Sequence, residues 1–184
     1  MKKIVAIIVA LVSTVFCFAD DLTILKGSVS VFKGSVSSAV VRWDYSHSTI
    51  EGKEINEYLQ ERGEDWVRDY DSEIKRAEDT FLNRFNKKQK YIKASVGDDA
   101  EYEIVIKVKN FNYGVTALAV VVGFGAGDAH LYGNVEIYKK GQVEPIAVIY
   151  IDGVGGCGYG NEKRRINAYE ELAESLASLI KKGK

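Results

Sequence analysis

The clearest hydrophobic pattern in the chain is an apolar stripe that recurs every three or four residues between Trp66 and Phe85. Charged side chains fill the positions between, so the pattern has the 3.6-residue period of a long amphipathic helix. Such a stripe could line a ligand groove, but we expect it to be the buried face of a helix on a sheet. It consists of Trp66, Tyr70, Ile74, Ala77, Phe81 and Phe85.

Two further helices are predicted. The first is short, with Ser48 or Thr49 as its cap and Gly63 as its end. The second spans Asn161–Lys182 and carries its apolar residues on one side. Asn161 is its expected cap, and the acidic start and basic end of this segment both suit the helix dipole.

The remaining apolar segments have a period of two or are short and β-branched, which is typical of strands. We expect the first two to pair with each other, and the last two to form a hairpin across Lys139–Gln142. Phe111–Val122 could extend a strand or form an inserted hairpin. The predicted strands are Leu22–Val31, Val36–Asp44, Tyr91–Val96, Glu101–Lys109, Ala129–Tyr138 and Val143–Ile151.

These elements follow the order ββ-αα-ββ(β)-ββ-α. Runs of adjacent strands favour antiparallel pairing, and each amphipathic helix must bury its stripe against a sheet. The predicted fold class is therefore α+β, a mixed α/β arrangement with a single mixed or largely antiparallel sheet and amphipathic helices packed on it. The pattern leaves open whether the helices lie on one face or on both.

The first residues have the three parts of a secretory signal peptide. Two lysines follow Met1, an apolar run extends over 4–18, and Ala19 precedes an acidic pair that begins at Asp20. Cys17 and Ala19 would occupy the small-residue positions before the cleavage site. We therefore predict that 1–19 is a signal peptide and 20–184 a single domain. A retained membrane helix would need about 20 apolar residues, more than this run supplies.

Export predicts a location in the periplasm or cell envelope. Lipid anchoring at Cys17 is an alternative, but the bulky Val15 and Phe16 that precede it are unlike a lipid-attachment motif. Cleavage leaves Cys157 as the one cysteine, which excludes an internal disulfide. After cleavage no transmembrane segment is expected.

The charge balance argues against a nucleic-acid partner. The chain has 25 basic and 26 acidic side chains, and cleavage removes two of the lysines. A slightly acidic domain offers no broad positive surface to a phosphate backbone. The expected partner is instead another protein of the envelope.

Two glycine-rich segments have features of phosphate-binding turns. Gly123–Ala129 has dinucleotide-binding spacing, but a strand rather than a helix is predicted after it, so the amides that would hold a pyrophosphate are missing. Gly153–Gly160 does precede a helix, with basic residues at 163–165, but an ordinary loop is the simpler interpretation. No cofactor and no metal are predicted.

Two carboxylate–imidazole pairs are candidates for chemistry. Asp44 lies near His47 and Asp128 near His130, so each pair could be part of a metal site or of a catalytic triad. No standard metal or nucleophile spacing accompanies them. Cys157 as a nucleophile would need a basic partner that the sequence does not place beside it. These five residues are the candidates for a ligand or partner site.

Three segments together resemble a set of uncharacterised exported proteins of Bacteroidetes-type bacteria. They are Trp43–Ser46, Glu64–Asn86 and Gly123–Ala129. The glycine-rich turn, the following hairpin and the final helix are also similar to lipoprotein domains of unknown function that distantly resemble the N-terminal α/β domains of TolB and the curli secretion protein. This second resemblance implies an envelope assembly or scaffolding role, and neither supplies a catalytic residue.

Three functional hypotheses follow. The first is a non-enzymatic envelope protein that binds or assembles with another protein through a sheet edge or a groove. The alternative is a secreted hydrolase or small-ligand binder, which requires Asp44 and His130 to share one cleft. Carbohydrate binding is a third, and it requires an exposed aromatic platform at Trp43, Trp66 or the tyrosines.

Overall fold

The fold is that of a computed structural model, which describes residues 21–33, 36–97, 99–114 and 127–183. Within these ranges eight strands form one mixed sheet and three α-helices pack on it, which confirms the predicted α+β class. The predicted signal peptide lies outside the described residues, as do 115–122 of the apolar stretch and the first four residues of Gly123–Ala129.

The elements range from two-residue strands to a 25-residue helix. The helices are α1 (Ile55–Arg62), α2 (Glu64–Lys88) and α3 (Asn161–Lys182), and Ser30–Phe32 forms one 3₁₀ turn. The strands are β1 (Leu22–Gly27), β2 (Ser37–Asp44), β3 (Thr49–Ile50), β4 (Lys53–Glu54), β5 (Ile92–Ser95), β6 (Tyr102–Asn112), β7 (Ala129–Lys139) and β8 (Ala147–Gly156).

The strand order is β1-β8-β7-β6-β2-β5, with β3 beside the end of β6 and β4 beside β3. β2 runs parallel to its two neighbours, β5 and β6. The pairs β6–β7, β7–β8 and β8–β1 are antiparallel. The expected pairing of the first two strands is wrong, because three strands separate β1 from β2. β7 and β8 do form the predicted hairpin.

The described helices all pack on one face of the sheet. Along β6, β7 and β8 the residues alternate between buried and half-buried, and the buried set lies beneath α2 and α3. We call the opposite side the open face. Its members include Arg42, Asp44, Glu103, Val105, Lys107, Tyr132, Asn134, Glu136, Tyr138, Val148 and Tyr150.

α2 and α3 lie side by side and run in the same direction. Arg76 of α2 pairs with Glu162 at 2.7 Å, and Lys88, farther along α2, pairs with Glu174 at 3.1 Å. The apolar stripe of α2 is fully buried at Ala77, Phe81 and Phe85 but only half-buried from Trp66 to Ile74. The stripe is therefore core along its second half, as predicted.

The segment before α1 differs from the prediction. Ser48 does not cap a helix; its Oγ donates to the carbonyl of Val108 at 2.5 Å. Thr49 pairs with β6 in the short strand β3, and α1 begins only at Ile55, where the Glu54 side chain accepts from the Glu57 amide. The helix therefore begins several residues later than predicted, because the residues before it pair as strands.

The bounds of β8 also differ from the prediction. The strand starts at Ala147 rather than Val143, which is 90% exposed. It continues to Gly156, because β7 offers pairing partners as far as Ala129. Half of the predicted glycine-rich loop is therefore strand.

Candidate functional site

The five candidate residues lie at one end of the sheet, which we call the site end. β2 and β6 finish there, and β7 starts there because it runs antiparallel to β6. β8 also ends there, and α3 begins directly after it. The topology thus places all five candidates in one region, although more than one hundred residues lie between the first and the last of them in the sequence. They are Asp44, His47, Asp128, His130 and Cys157.

Asp44 is engaged in closing a turn. Its Oδ1 accepts from the Ser46 hydroxyl at 2.6 Å and from the Ser46 amide at 3.0 Å. These two hydrogen bonds hold the pKa of the Asp44 carboxyl below its usual value, and Lys107 adds to the effect. His47 is exposed in the same turn, and its charge makes the smallest contribution to the lowered pKa of Asp44. The carboxylate acts here as a turn residue.

His130 stabilises a bulge in β8. Its Nδ1 donates to the carbonyl of Gly153 at 3.0 Å, and a Cβ at Gly153 would lie 3.1 Å from the ring of Tyr132. Gly153 has a φ of 72°, which a side chain rarely tolerates. Asp128 is half-buried just before β7, and no hydrogen bond joins it to His130 among the described residues.

Asp44 and His130 share the open side of the sheet but not a cleft. Asp44 is in register with Lys107 of β6, whereas His130 is in register with Asn112. Five residues of strand place them about 15 Å apart along β6. The arrangement required by the hydrolase hypothesis is therefore not formed by these two residues. Within the described ranges no group of three histidine, cysteine or acidic side chains could hold a metal ion.

Cys157 is exposed in the loop between β8 and α3. Its carbonyl accepts from Asn167 Nδ2 at 2.5 Å, which ties the loop to the first turns of α3. The described structure places no base in contact with its thiol. The loop holds the cysteine at the surface without a partner for nucleophilic chemistry.

The two tryptophans do not form a platform for a sugar. Trp43 stacks on Tyr169 with ring centroids 4.8 Å apart and meets the edge of Phe81 at 5.2 Å. Trp66 packs against Tyr58 and Tyr113. Both rings are half-buried against the core, so the carbohydrate hypothesis receives no support from them.

The polar residues that sequence reasoning missed are two buried arginines. Arg164 is 1% exposed, and it donates to the carbonyls of Gly158 at 3.0 Å and Tyr113 at 2.8 Å. It therefore ties the glycine-rich loop to the residue that follows β6. From the sequence alone, Arg164 is expected only to add positive charge near the start of α3.

Arg165 is 2% exposed and lies between α2, α3 and the end of β6. Its Nη1 is 3.2 Å from Glu73 Oε2, and its guanidinium lies 4.9 Å from the ring centre of Tyr70 and 5.1 Å from that of Tyr113. Burial raises the pKa of Glu73, and Arg165 opposes that rise. The spacing could have indicated this burial, because Arg165 precedes the buried Tyr169 by four residues and therefore lies on the same, apolar side of α3.

A second buried polar group lies nearby. Tyr45 Oη donates to Glu78 Oε1 at 3.0 Å and lies 3.1 Å from the hydroxyl of Tyr169, which is 1% exposed. Burial raises the pKa of both tyrosines above the ordinary value. Burial also raises the pKa of Glu78, although the hydrogen bond from Tyr45 lowers it.

The raised pKa of Glu78 predicts a pH-dependent effect of Glu78→Gln. A carboxyl with a raised folded-state pKa contributes stability below its unfolded pKa and loses it as pH rises through the folded pKa. Glutamine keeps an acceptor for Tyr45 but cannot ionise. We therefore expect the variant to gain stability relative to the wild type as pH rises from about 4 to 8, measured by urea unfolding. A difference that stays constant over this range would contradict the prediction.

The open face carries paired charges among tyrosines. Arg42 pairs with Glu103 at 2.6 Å, and Lys107 pairs with Glu136 at 2.7 Å. Tyr138 donates to Glu136 at 2.5 Å, which raises the pKa of Tyr138 to about 12. Tyr132 and Tyr150, like Tyr138, are half-buried although no described helix lies over them. Neighbouring side chains of the sheet therefore shield one another on this face.

A groove opens at the hairpin end of the open face, away from the site end. Its volume is about 160 Å³, and both charged and aromatic side chains line it. It lies where β2, β6 and the turn between β7 and β8 meet. The lining includes Arg42, Glu103, Tyr138, Lys139, Lys140 and Gln142.

Among the described helices, none combines the length with the hydropathy that a membrane span requires. No protein-family model matches the sequence, and no curated protein matches it. One similar solved structure is a PelC variant from Paraburkholderia phytofirmans that forms a dodecamer. The two chains are 10% identical with a TM-score of 0.42, over 85% of this chain and 95% of that one. A similarity of that size assigns this chain neither to a family nor to a function.

Proposed function

We propose that this chain is an exported, non-enzymatic binding or assembly module of the cell envelope, and that its open face contacts a protein partner. The observation that carries the proposal is a sheet face over which no described helix lies, with three half-buried tyrosines and a groove at one end. The helices bury the other face of the same strands.

The chemistry of the open face suits protein recognition. Tyrosine and arginine are among the residue types that most often contribute binding energy at protein interfaces, whereas lysine and the acidic residues are depleted there. On this face the arginine and the lysine of the central strands are already paired with carboxylates. A groove of about 160 Å³ is large enough to accept one partner side chain as an anchor.

The placement of the candidate acid–base groups supports a non-enzymatic role. Asp44 is occupied by Ser46, and His130 is occupied by the carbonyl of Gly153. Each group therefore already has a structural task. The hydrolase alternative would need these groups to act on one substrate across about 15 Å of sheet.

Photo-crosslinking in intact cells tests the proposed surface. We expect a benzophenone amino acid at Tyr150, on the β8 part of the open face, to give a discrete crosslinked product with an envelope protein. The same substitution at Tyr138, beside the groove, should capture the same partner. Western blotting and mass spectrometry of the product identify the protein and the crosslinked peptide.

Tyr159 is the matched control, because it is a tyrosine that is 86% exposed in the loop before α3 and lies off the open face. We expect no product from position 159. A product from 159 with none from 138 or 150 would move the binding surface to the site end. Absence of a product at all three positions in the folded, exported protein would contradict a binding role.

Export has its own test. The intact mass of the protein isolated from the envelope fraction is expected to correspond to a chain that begins at Asp20, because Cys17 and Ala19 satisfy the peptidase. A mass that corresponds to lipid-modified Cys17 would show that the protein is lipid-anchored at Cys17 and not cleaved after Ala19. Recovery of a full-length chain from the cytoplasm would contradict export itself.

A further inference from the structure

The guanidinium of Arg165 has an unfilled hydrogen-bonding position inside the protein. Arg165 is 2% exposed, and its Nη1 bonds Glu73. Its Nη2 is buried and has no hydrogen-bond partner among the described residues. The rings of Tyr70, Phe111 and Tyr113 lie beside the guanidinium, but a ring face does not replace an oxygen acceptor in its plane. A buried charged donor is costly to leave unpaired.

A small cavity adjoins this arginine. Its volume is about 10 Å³, which is close to the minimum that holds one water molecule. Arg165 lines the cavity together with five hydroxyl-bearing residues, which are Tyr45, Ser48, Thr49, Tyr70 and Tyr169. The other five lining residues are apolar, so Arg165 and the hydroxyl groups supply the polar partners that a buried water needs.

Assigning each hydroxyl hydrogen around the cavity to its partner identifies the oxygen atoms that can still accept a hydrogen bond. With Glu78 ionised, the single hydroxyl hydrogen of Tyr45 goes to that carboxylate. The 3.1 Å contact between the two tyrosine hydroxyls must then use the hydrogen of Tyr169. Tyr169 Oη is left as an acceptor, and Ser48 Oγ is left as one too because its hydrogen goes to Val108.

We propose that this cavity binds one internal water molecule, which accepts from Arg165 Nη2 and donates to Tyr169 Oη. Its second hydrogen is available to Ser48 Oγ. The water joins two networks, Glu73–Arg165 on one side and Tyr169–Tyr45–Glu78 on the other, into a continuous buried chain between α2, α3 and the sheet. This site is independent of the open face and of any partner.

Water–protein NOE spectroscopy on the wild-type exported chain is the direct test. A resident internal water gives NOEs of the same sign as those within the protein, whereas surface water does not. We expect such NOEs from the Arg165 guanidinium protons and from the hydroxyl proton of Ser48 or Tyr169. Their absence, with these protons observed, would overturn the proposal without any variant.

Val108→Ile adds one methyl group to a residue that lines the cavity. We expect this variant to lose one water equivalent from the ¹⁷O relaxation dispersion, together with the NOEs. Val135→Ile is the matched control, because Val135 is fully buried in the neighbouring strand and does not line the cavity. If Val108→Ile and Val135→Ile both retained the wild-type dispersion, the water would lie elsewhere and the proposal would fail.

Discussion

Gly156→Ala is expected to destabilise the protein by about 3 kcal/mol, because α3 packs directly on the backbone of β8 at this residue. A Cβ at Gly156 would lie 2.2 Å from the carbonyl oxygen of Arg164 and 2.7 Å from the amide nitrogen of Ala168. Both atoms belong to the backbone of α3, so no side-chain rotation can relieve the overlap. The helix must shift, and the shift loosens the buried packing of Leu172 and Leu176 beneath it.

Gly155→Ala supplies the control in the adjacent position. A Cβ there would have no neighbour within 4 Å, and Gly155 does not have a left-handed φ. We expect a change within about 0.5 kcal/mol of the wild type. Urea unfolding followed by circular dichroism compares the two variants. Equal stability of both would mean that α3 does not lie as close to β8 as described.

Phe81→Ala is expected to destabilise the protein by about 4 kcal/mol, the usual cost of removing a fully buried aromatic side chain. Phe81 is 0% exposed, meets Trp43 edge-on at 5.2 Å and stacks on Phe85 at 5.8 Å. The truncation leaves a cavity between α2 and the sheet. The same measurement tests whether the apolar stripe of α2 is core, since a stripe that lined an open groove would lose far less.

Val67→Ala on the same helix is the comparison. Val67 is 51% exposed and lies outside the stripe. Its truncation removes little buried surface, and alanine favours the helix slightly. We expect its free energy of unfolding to stay within about 0.5 kcal/mol of the wild type. A loss at Phe81 no greater than that at Val67 would show that the second half of the stripe is not buried.

The amphipathic helices were the most predictable elements. α3 has the predicted bounds, Asn161–Lys182, but Gly160 rather than the expected Asn161 is at its cap position, and no side chain caps it. The stripe of α2 is the buried face where it crosses the sheet. Their period lies within one local segment, so local sequence is sufficient to specify it. The segment that begins at Thr49 was less predictable, because its choice between helix and strand depended on a distant partner, the end of β6.

The position of the candidate residues depends on the strand order, which the sequence pattern did not specify. The topology brings Asp44, His130 and Cys157 to one end, as strand ends often do with functional residues. Their hydrogen bonds, however, serve turns and a bulge. The buried arginines were missed because arginine is usually exposed at the protein surface. Their burial depends on carbonyl groups and aromatic rings that other elements contribute.

The sequence by itself determined the α+β class, the two long helices and most of the strands, since the hydrophobic period is a property of neighbouring residues. It also carries the features of a signal peptide. The tertiary structure decided the strand order, the open face and the environment of Arg165. Each of these depends on contacts between segments far apart in the chain, and such contacts leave no periodic trace in either segment.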